Sequence, residues 1–291
     1  MILAAGLGTR LRPLTDELPK PLVPIGDRPM LAHVVAELAR GGIRRAALNV
    51  FHHAPAFTRS VLEDLPIELT VLREAELLGT AGGLANAGAA LGRGDVVTWN
   101  GDILAEVDVR ALLSAHASFG ALATLAVWPR PRGQGTIGRA RDGSVVRLRG
   151  EQFGEEALGG DFLGIQVIGD VLRALVPPRG CLVGDAYLPA LRRGAKLASF
   201  DVRTAWADVG TLRAYLQANL DWLAAAGHES WLGAGAHLGS KVEPRTSVIG
   251  AGAVVEGEGL LHECVIWPGA RARAPLHRVI VTGSGRVVPV D

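Results

Sequence analysis

The chain has 291 residues, enough for one large domain or one domain plus a smaller module. Apolar residues make up 48% and charged residues only 20%, which excludes a disordered chain. With 30 basic against 29 acidic side chains, no overall field draws the protein to nucleic acid or to a membrane, so any anion must be held by locally placed residues. Cys181 and Cys264 stand far apart with no CxxC, so neither a structural zinc nor a disulfide framework is expected. No stretch reaches the length of a membrane span, and a cytoplasmic, reduced protein is the expectation.

In chain order, Met1–Ala5 reads as a buried strand that leads into Gly6-Leu7-Gly8-Thr9-Arg10. Met30, Leu31, Val34, Val35 and Leu38 form one helical stripe, which Gly41-Gly42 ends. Arg45–Val50 and Glu68–Leu72 read as strands, with a short helix over 55–62 between them. Thr80 is placed to cap a helix running to Leu91, and Asp95–Trp99 is a further buried strand ending at Asn100-Gly101-Asp102. Strands alternating with amphipathic helices predict an α/β domain, a mostly parallel sheet between helices.

From Ala121 the pattern changes. Ala121–Trp128 is strand-like, 136–141 and 144–149 flank the hairpin signal Asp142-Gly143, and Asp161–Val167 is another strand. These predict an antiparallel insertion at the sheet edge. Tyr187–Arg193 reads as helix, 197–202 as extended chain, and Trp206–Thr211 as a tight turn. A last helix carries Leu212, Tyr215, Leu216, Asn219 and Leu223, and Gly227 ends it. Beyond lies a different pattern. Val242, Val248, Val254, Leu260 and Ile266 recur every six residues, in step with Ile249, Val255, Leu261 and Trp267. That period is the mark of a hexapeptide β-helix. The expected domains are therefore 1–227 and 228–291.

The opening loop lacks the third glycine of a dinucleotide fingerprint, since Leu11 stands there, and Lys20 does not follow a glycine as in a Walker loop. What remains is two glycines with Arg10, Arg12 and Lys20 just after a strand, a cradle for a polyphosphate. Leu3-Ala4-Ala5-Gly6-Leu7-Gly8-Thr9-Arg10-Leu11-Arg12-Pro13-Leu14-Thr15 and Lys20-Pro21-Leu22-Val23-Pro24-Ile25 resemble the sugar-1-phosphate nucleotidyltransferases. The resemblance is to mannose-1-phosphate guanylyltransferase-like members that carry a C-terminal hexapeptide β-helix.

That resemblance implies a Rossmann-like nucleotidyltransferase domain followed by a short left-handed parallel β-helix. It assigns Ala5, Gly6, Gly8, Thr9 and Arg10 to the nucleotide, and Arg10 and Lys20 to its phosphates. Glu74, Gly79 and Thr80 match the base-binding segment, where an ionised Glu74 can accept two bonds from the N1–H and N2 edge of guanine. Asp102 and Asp208 match the metal-binding segments and imply Mg²⁺, whose preference for oxygen ligands with open positions they suit.

The sugar end departs from the family. The Glu-Lys-Pro expected after the hairpin is missing, and 146–151 read Val-Arg-Leu-Arg-Gly-Glu. Gly138, Asp161 and Gly164 match sugar-side positions, and Arg147 or Arg149 is the candidate for the missing lysine's charge. The implied substrates are an NTP and a sugar 1-phosphate, first GTP with mannose 1-phosphate. UTP with an amino sugar, muramic acid or glucose 1-phosphate is the alternative. A regulatory subunit that only binds sugar nucleotides is the reading from another class; such proteins usually lose a loop cation or a metal carboxylate, and all four are kept here. No nucleic-acid or membrane partner is expected. The tail is expected to stabilise the protein or to build a homo-oligomer.

Overall fold

In the computed structural model, which describes residues 1–291, the chain forms two compact units. One comprises Met1–Gly6 with Val34–Trp206, the other Leu7–His33 with Ala207–Asp291. The opening loop thus belongs to the same unit as the C-terminal part of the chain. No helix is long and apolar enough to cross a membrane.

The first unit is built on a 10-stranded mixed sheet. Its parallel part consists of β1 (Ile2–Leu3), β2 (Arg45–Val50), β3 (Glu68–Arg73) and β4 (Val96–Asn100) in the order β4-β1-β2-β3. Ile2 faces Leu48 on one side and Trp99 on the other, so β1 lies inside the sheet. Apolar runs such as Ala46-Ala47-Leu48, buried on both faces, are what parallel strands require. The helix α1 (Met30–Arg40) carries the predicted stripe, and Met30, Leu31, Val34, Val35 and Leu38 are all buried.

The remaining strands are β5 (Ala123–Arg130), β6 (Ile137–Arg139), β7 (Val145–Leu148), β8 (Glu151–Gln152), β9 (Leu158–Ile168) and β10 (Leu197–Asp201). β9 runs antiparallel to β4, β5 and β6, and β7 and β8 extend the edge beyond β6. β10 lies parallel to β5. The predicted edge hairpin is present. Asp142 accepts from the Ser144 backbone N–H at 2.9 Å, and Gly143 supplies the positive φ of the turn. Ala81, Leu84, Tyr187, Leu188 and Leu191 pack on Met1, Ala47, Ala123, Leu125 and Val127 to form the core of this unit. Each such large side chain contributes about 1.5–3 kcal/mol by leaving water.

Several elements differ from the sequence reading. The helix expected over 55–62 divides into a 3₁₀ turn at Ala54–Ala56 and one α-helical turn at Arg59–Leu62, and Trp206–Asp208 is a short strand rather than part of a tight turn. The helix α2 spans Gly79–Asn86 and stops there, with one separate turn at Gly88–Leu91. Thr80 lies inside it rather than at the cap, and its hydroxyl accepts from Leu182 N–H at 2.9 Å. The reading has no helix between Asp102 and Ala121, yet α3 spans Val109–Phe119. Asp108 caps it by accepting from Ala111 N–H at 2.9 Å, and Gly120 ends it in the left-handed region.

In the second unit, one-turn 3₁₀ helices at Thr9–Leu11, Leu14–Asp16 and Lys20–Leu22 are pinned by the fully buried Leu11 and Leu14. A two-residue hairpin, Pro24–Ile25 with Arg28–Pro29, turns at Gly26. The helix α4 (Leu212–Ala225) is capped by Thr211, whose hydroxyl accepts from Ala214 N–H at 3.2 Å. The tail forms short strands that pair in parallel, Trp231 with Val248 and Val248 with Val265 in one sheet, His237 with Val254 and Val254 with Arg271 in another, except that the last strand, Val287–Pro289, runs antiparallel to Val279–Val281. The step between stacked residues is 17, as from Ser247 to Cys264, where three six-residue repeats give 18. It tightens to 15 towards the end, as at His262 with His277 and Ile266 with Val281. One column of the hexapeptide pattern, Ile249, Val255, Leu261 and Trp267, is buried throughout; in the other, Leu260 is exposed.

Candidate active site

In the second unit the phosphate-loop residues converge. Gly8 sits in the left-handed region at φ 63°, where a side chain would press on the Thr15 methyl group 2.8 Å from its Cβ position. Thr15 in turn donates its hydroxyl to the Gly8 carbonyl at 2.9 Å. The turn brings Thr9 and Arg10 into the first 3₁₀ helix, and Lys20 opens the third, with its side chain only 11% exposed. Lys20 Nζ lies 4.0 Å from Asp208 Oδ1. Gly210 marks where Arg10 and Asp208 meet: a Cβ there would stand 2.9 Å from Arg10 Nη2 and 2.9 Å from Asp208 Oδ1. Arg10 and Lys20 of the opening loop are therefore both brought beside Asp208, from nearly two hundred residues along the chain.

Arg12, the third basic residue of the loop, pairs instead with Asp16 at 3.3 Å on the surface. Asp208 keeps close to half of its side chain exposed beside the two cations. A carboxylate with an open oxygen face and no histidine or cysteine cluster at hand fits a hard divalent ion such as Mg²⁺. No group of three or more metal-ligating side chains occurs in the chain, so an ion at Asp208 would need further ligands from outside the protein.

In the first unit the remaining candidates lie at the carboxyl ends of the parallel strands, where α/β sheets collect ligands. Ala5 and Gly6 follow β1, and a Cβ on Gly6 would meet nothing within 4 Å. Asn100-Gly101-Asp102 leaves β4 next door: Leu3 pairs with Asn100, and a Cβ on Gly101 would be 3.2 Å from Ala4 Cβ. Asp102 is half-buried. Gly164 lies against the same segment, 2.4 Å from Asn100 Nδ2 measured from its Cβ position.

Glu74 is 8% exposed. Its Oε1 accepts from Asn49 Nδ2 at 2.7 Å and its Oε2 from Leu78 N–H at 3.2 Å. Asn49 Oδ1 accepts from Ala4 N–H at 2.9 Å. One carboxylate thus ties the end of β1 to the segment that enters Gly79 and Thr80. Both its oxygens already have protein donors, so a base edge meets Glu74 only through their second lone pairs. Gly79 has a positive φ and touches the Gly180 carbonyl, leaving no room for a side chain.

At the sugar end the structure redistributes the expected roles. Arg147 donates from Nε to Glu156 Oε2 at 2.8 Å and to the carbonyls of Gln134, Gly135 and Ile137. It is committed to that knot and is not the free cation that the reading offered for a sugar phosphate. Its hydrogen bond holds the Glu156 carboxyl below the usual range. Gly138 lies under this pair, its Cβ position 2.5 Å from Glu156 Oε2, so its lack of a side chain serves the knot. Asp161 pairs with Arg130 at 2.6 Å, and Arg149 donates to the Cys181 sulfur at 3.2 Å.

The sequence reading missed Asn49, Gly210 and Glu156. Asn49 had a visible signal, a lone amide in the apolar run Arg45–Val50. Gly210 and Glu156 had none.

The nucleotidyl transferase family profile matches residues 1–149, more than half of the chain. The chain belongs to the nucleotidyl transferase family. The probable mannose-1-phosphate guanylyltransferase 1 of Oryza sativa subsp. japonica is 30% identical over 94% of this chain and 82% of its own length. The mannose-1-phosphate guanyltransferase of Pichia angusta is 32% identical over 77% of this chain. The match covers 64% of that fungal relative's length. Among solved structures, HddC from Yersinia pseudotuberculosis, complexed with GMP-PN, superposes with a TM-score of 0.64 at 23% identity. It covers 76% of this chain and 97% of its own, and shows the shared fold of this transferase.

Proposed function

We propose that this nucleotidyl transferase moves a nucleoside monophosphate from an NTP to a sugar 1-phosphate, with GTP and mannose 1-phosphate as the substrates. The observation that carries the reading is that Arg10, across Gly210, and Lys20, at 4.0 Å, both lie beside Asp208. Two cations fixed beside a carboxylate can hold a triphosphate and take up the charge that grows on departing pyrophosphate. The named relatives in fungi and rice support guanine and mannose.

The attacking oxygen belongs to the sugar phosphate, already anionic near neutral pH. It forms the new bond to the α-phosphorus, and the bond from that phosphorus to the bridging oxygen breaks as pyrophosphate leaves. No general base and no covalent intermediate are needed. Arg10 and Lys20 orient the triphosphate and stabilise its leaving end. Asp208 and Asp102 are the carboxylates assigned to Mg²⁺, which supplies charge neutralisation on phosphate oxygens when bound. Ala5, Gly6, Gly8 and Thr9 line the nucleotide, Gly79 and Thr80 the base, and Gly164 and Asp161 the sugar. Arg149 is the cation left for the sugar phosphate.

Catalysis is assigned to 1–227. The parallel pairing at steps near three hexapeptides supports reading 228–291 as a left-handed β-helix, which can also join copies of the chain. The reaction is assigned to the cytoplasm. A panel of NTPs and sugar 1-phosphates with Mg²⁺, read as pyrophosphate release, tests the assignment. Fastest turnover is expected with GTP and mannose 1-phosphate; turnover with another pair changes the substrates and keeps the reaction class.

A further inference from the structure

The segment that carries Lys20 is held from both sides by the C-terminal part of its own unit. Glu17, three residues before Lys20, sends its carboxylate to the turn at Thr282–Arg286. Its Oε1 accepts from the Thr282 hydroxyl and, at 2.6 Å, from the Ser284 hydroxyl, and its Oε2 accepts from Ser284 N–H at 3.1 Å. That turn is itself closed, with Thr282 N–H donating to Arg286 and Gly285 N–H donating to Thr282. Beyond Lys20, the Pro24 carbonyl accepts from the Tyr215 hydroxyl at 2.6 Å, which accepts from Trp267 Nε1 at 2.9 Å. The Gly26 N–H donates to Asn219 at 2.9 Å. Thr282, Trp267, Tyr215 and Asn219 are buried.

Between these ties Lys20 is flanked by Pro19 and Pro21, whose fixed φ values leave the local backbone little freedom. The position of Lys20 Nζ near Asp208 is therefore set by anchors on either side. Trp267, Thr282 and Ser284 all belong to the tail, and a surface decoration would make no such set of charge-assisted and buried bonds. We propose that Glu17 is a positioning residue of the phosphate site, and that the Thr282–Arg286 turn works as part of the NTP-binding machinery rather than as a detachable stabiliser. This rests on the reading of Arg10 and Lys20 as the triphosphate ligands.

The sign of the effect separates positioning from plain electrostatics. Removing a carboxylate three residues from Lys20 leaves the site more cationic, which by itself strengthens anion binding. Loss of the tie must weaken it. A Gln at position 17 keeps one acceptor but puts an NH₂ toward the Ser284 donors.

The test uses the full chain and equilibrium binding of GTP, UTP and dTTP with Mg²⁺ by calorimetry, which does not depend on turnover. Glu17→Gln and Ser284→Ala are each expected to weaken NTP binding about tenfold or more, in line with the sensitivity of such sites to ångström displacements. Ser284→Thr, which keeps the hydroxyl, restores it. The doubly substituted chain should be little worse than either single variant, because both remove one tie. Lys241→Ala, which breaks only the exposed pair with Glu258, leaves affinity unchanged. Unchanged or tighter binding in Glu17→Gln overturns the proposal, as does a wild-type chain that binds no NTP. A wild-type chain that binds an NTP but releases no pyrophosphate with any sugar phosphate removes the transferase reading alone.

Discussion

At the residue scale, the site depends on what Gly210 lacks. Its Cβ position is crowded by the Arg10 guanidinium end and the Asp208 carboxylate, both side-chain tips rather than backbone. A methyl group there displaces the tips while the fold accommodates it. Gly210→Ala is accordingly expected to lower kcat/KM for the NTP by about tenfold or more while the thermal midpoint stays put. Steady-state kinetics beside a melting curve checks this; a lowered midpoint with normal kinetics would show that Gly210 serves packing instead.

Arg10 and Lys20 were legible in the sequence because glycines and cations after a strand leave few other uses. The Asp208 segment was found by its resemblance to a metal-binding segment. Glu74 was read as a base contact because a sequence shows a carboxylate but not its donors. Its partner Asn49 lies 25 positions away on another strand, so the link from Ala4 to Leu78 exists only after folding.

At the element scale, the edge insertion is locked by one ion pair. Arg147 and Glu156 are mostly buried, and Glu156 also takes Gly133 N–H at 2.7 Å. Arg147→Ala removes the partner of that carboxylate and of three backbone carbonyls, and is expected to cost about 1–3 kcal/mol in chemical denaturation. The pH dependence has a definite sign. The Arg147 hydrogen bond lowers the Glu156 pKa in the folded state, so the pair's contribution is complete above the ordinary carboxyl value of 4.5 and fades as pH falls through the lowered one. The stability gap between wild type and Arg147→Ala should therefore close on acidification below that value. A gap that stays constant would remove Glu156 as the partner that matters.

The hairpin itself was legible from Asp142-Gly143, whose turn chemistry is local. The helix α3 lies outside the predicted elements, although Asp108 and Gly120 frame it. The hexapeptide columns announced a repeating tail, but the step of 17 was hidden. A strict period of six implies a step of 18 and so hides the residue missing from each step of 17.

At the scale of the whole molecule, linear order misleads about function. A boundary near Gly227 separates sequence patterns, yet Leu7–His33 belongs to one compact unit with Ala207–Asp291. The residues assigned to the triphosphate are thus folded together with the repeat tail, so its removal should disturb nucleotide binding as well as stability. The long-range pairing of Glu17 with Thr282 and Ser284 spans almost the entire chain, and no local signal in either segment points to the other.

The most direct measurement follows the label from α-phosphate-labelled GTP in the presence of mannose 1-phosphate and Mg²⁺. The account predicts that label passes into the sugar nucleotide, one for each pyrophosphate released, and that Asp208→Ala and Asp102→Ala both abolish the transfer while the chain remains folded. Label recovered only as GMP or unreacted GTP, or full transfer in either variant, would contradict it.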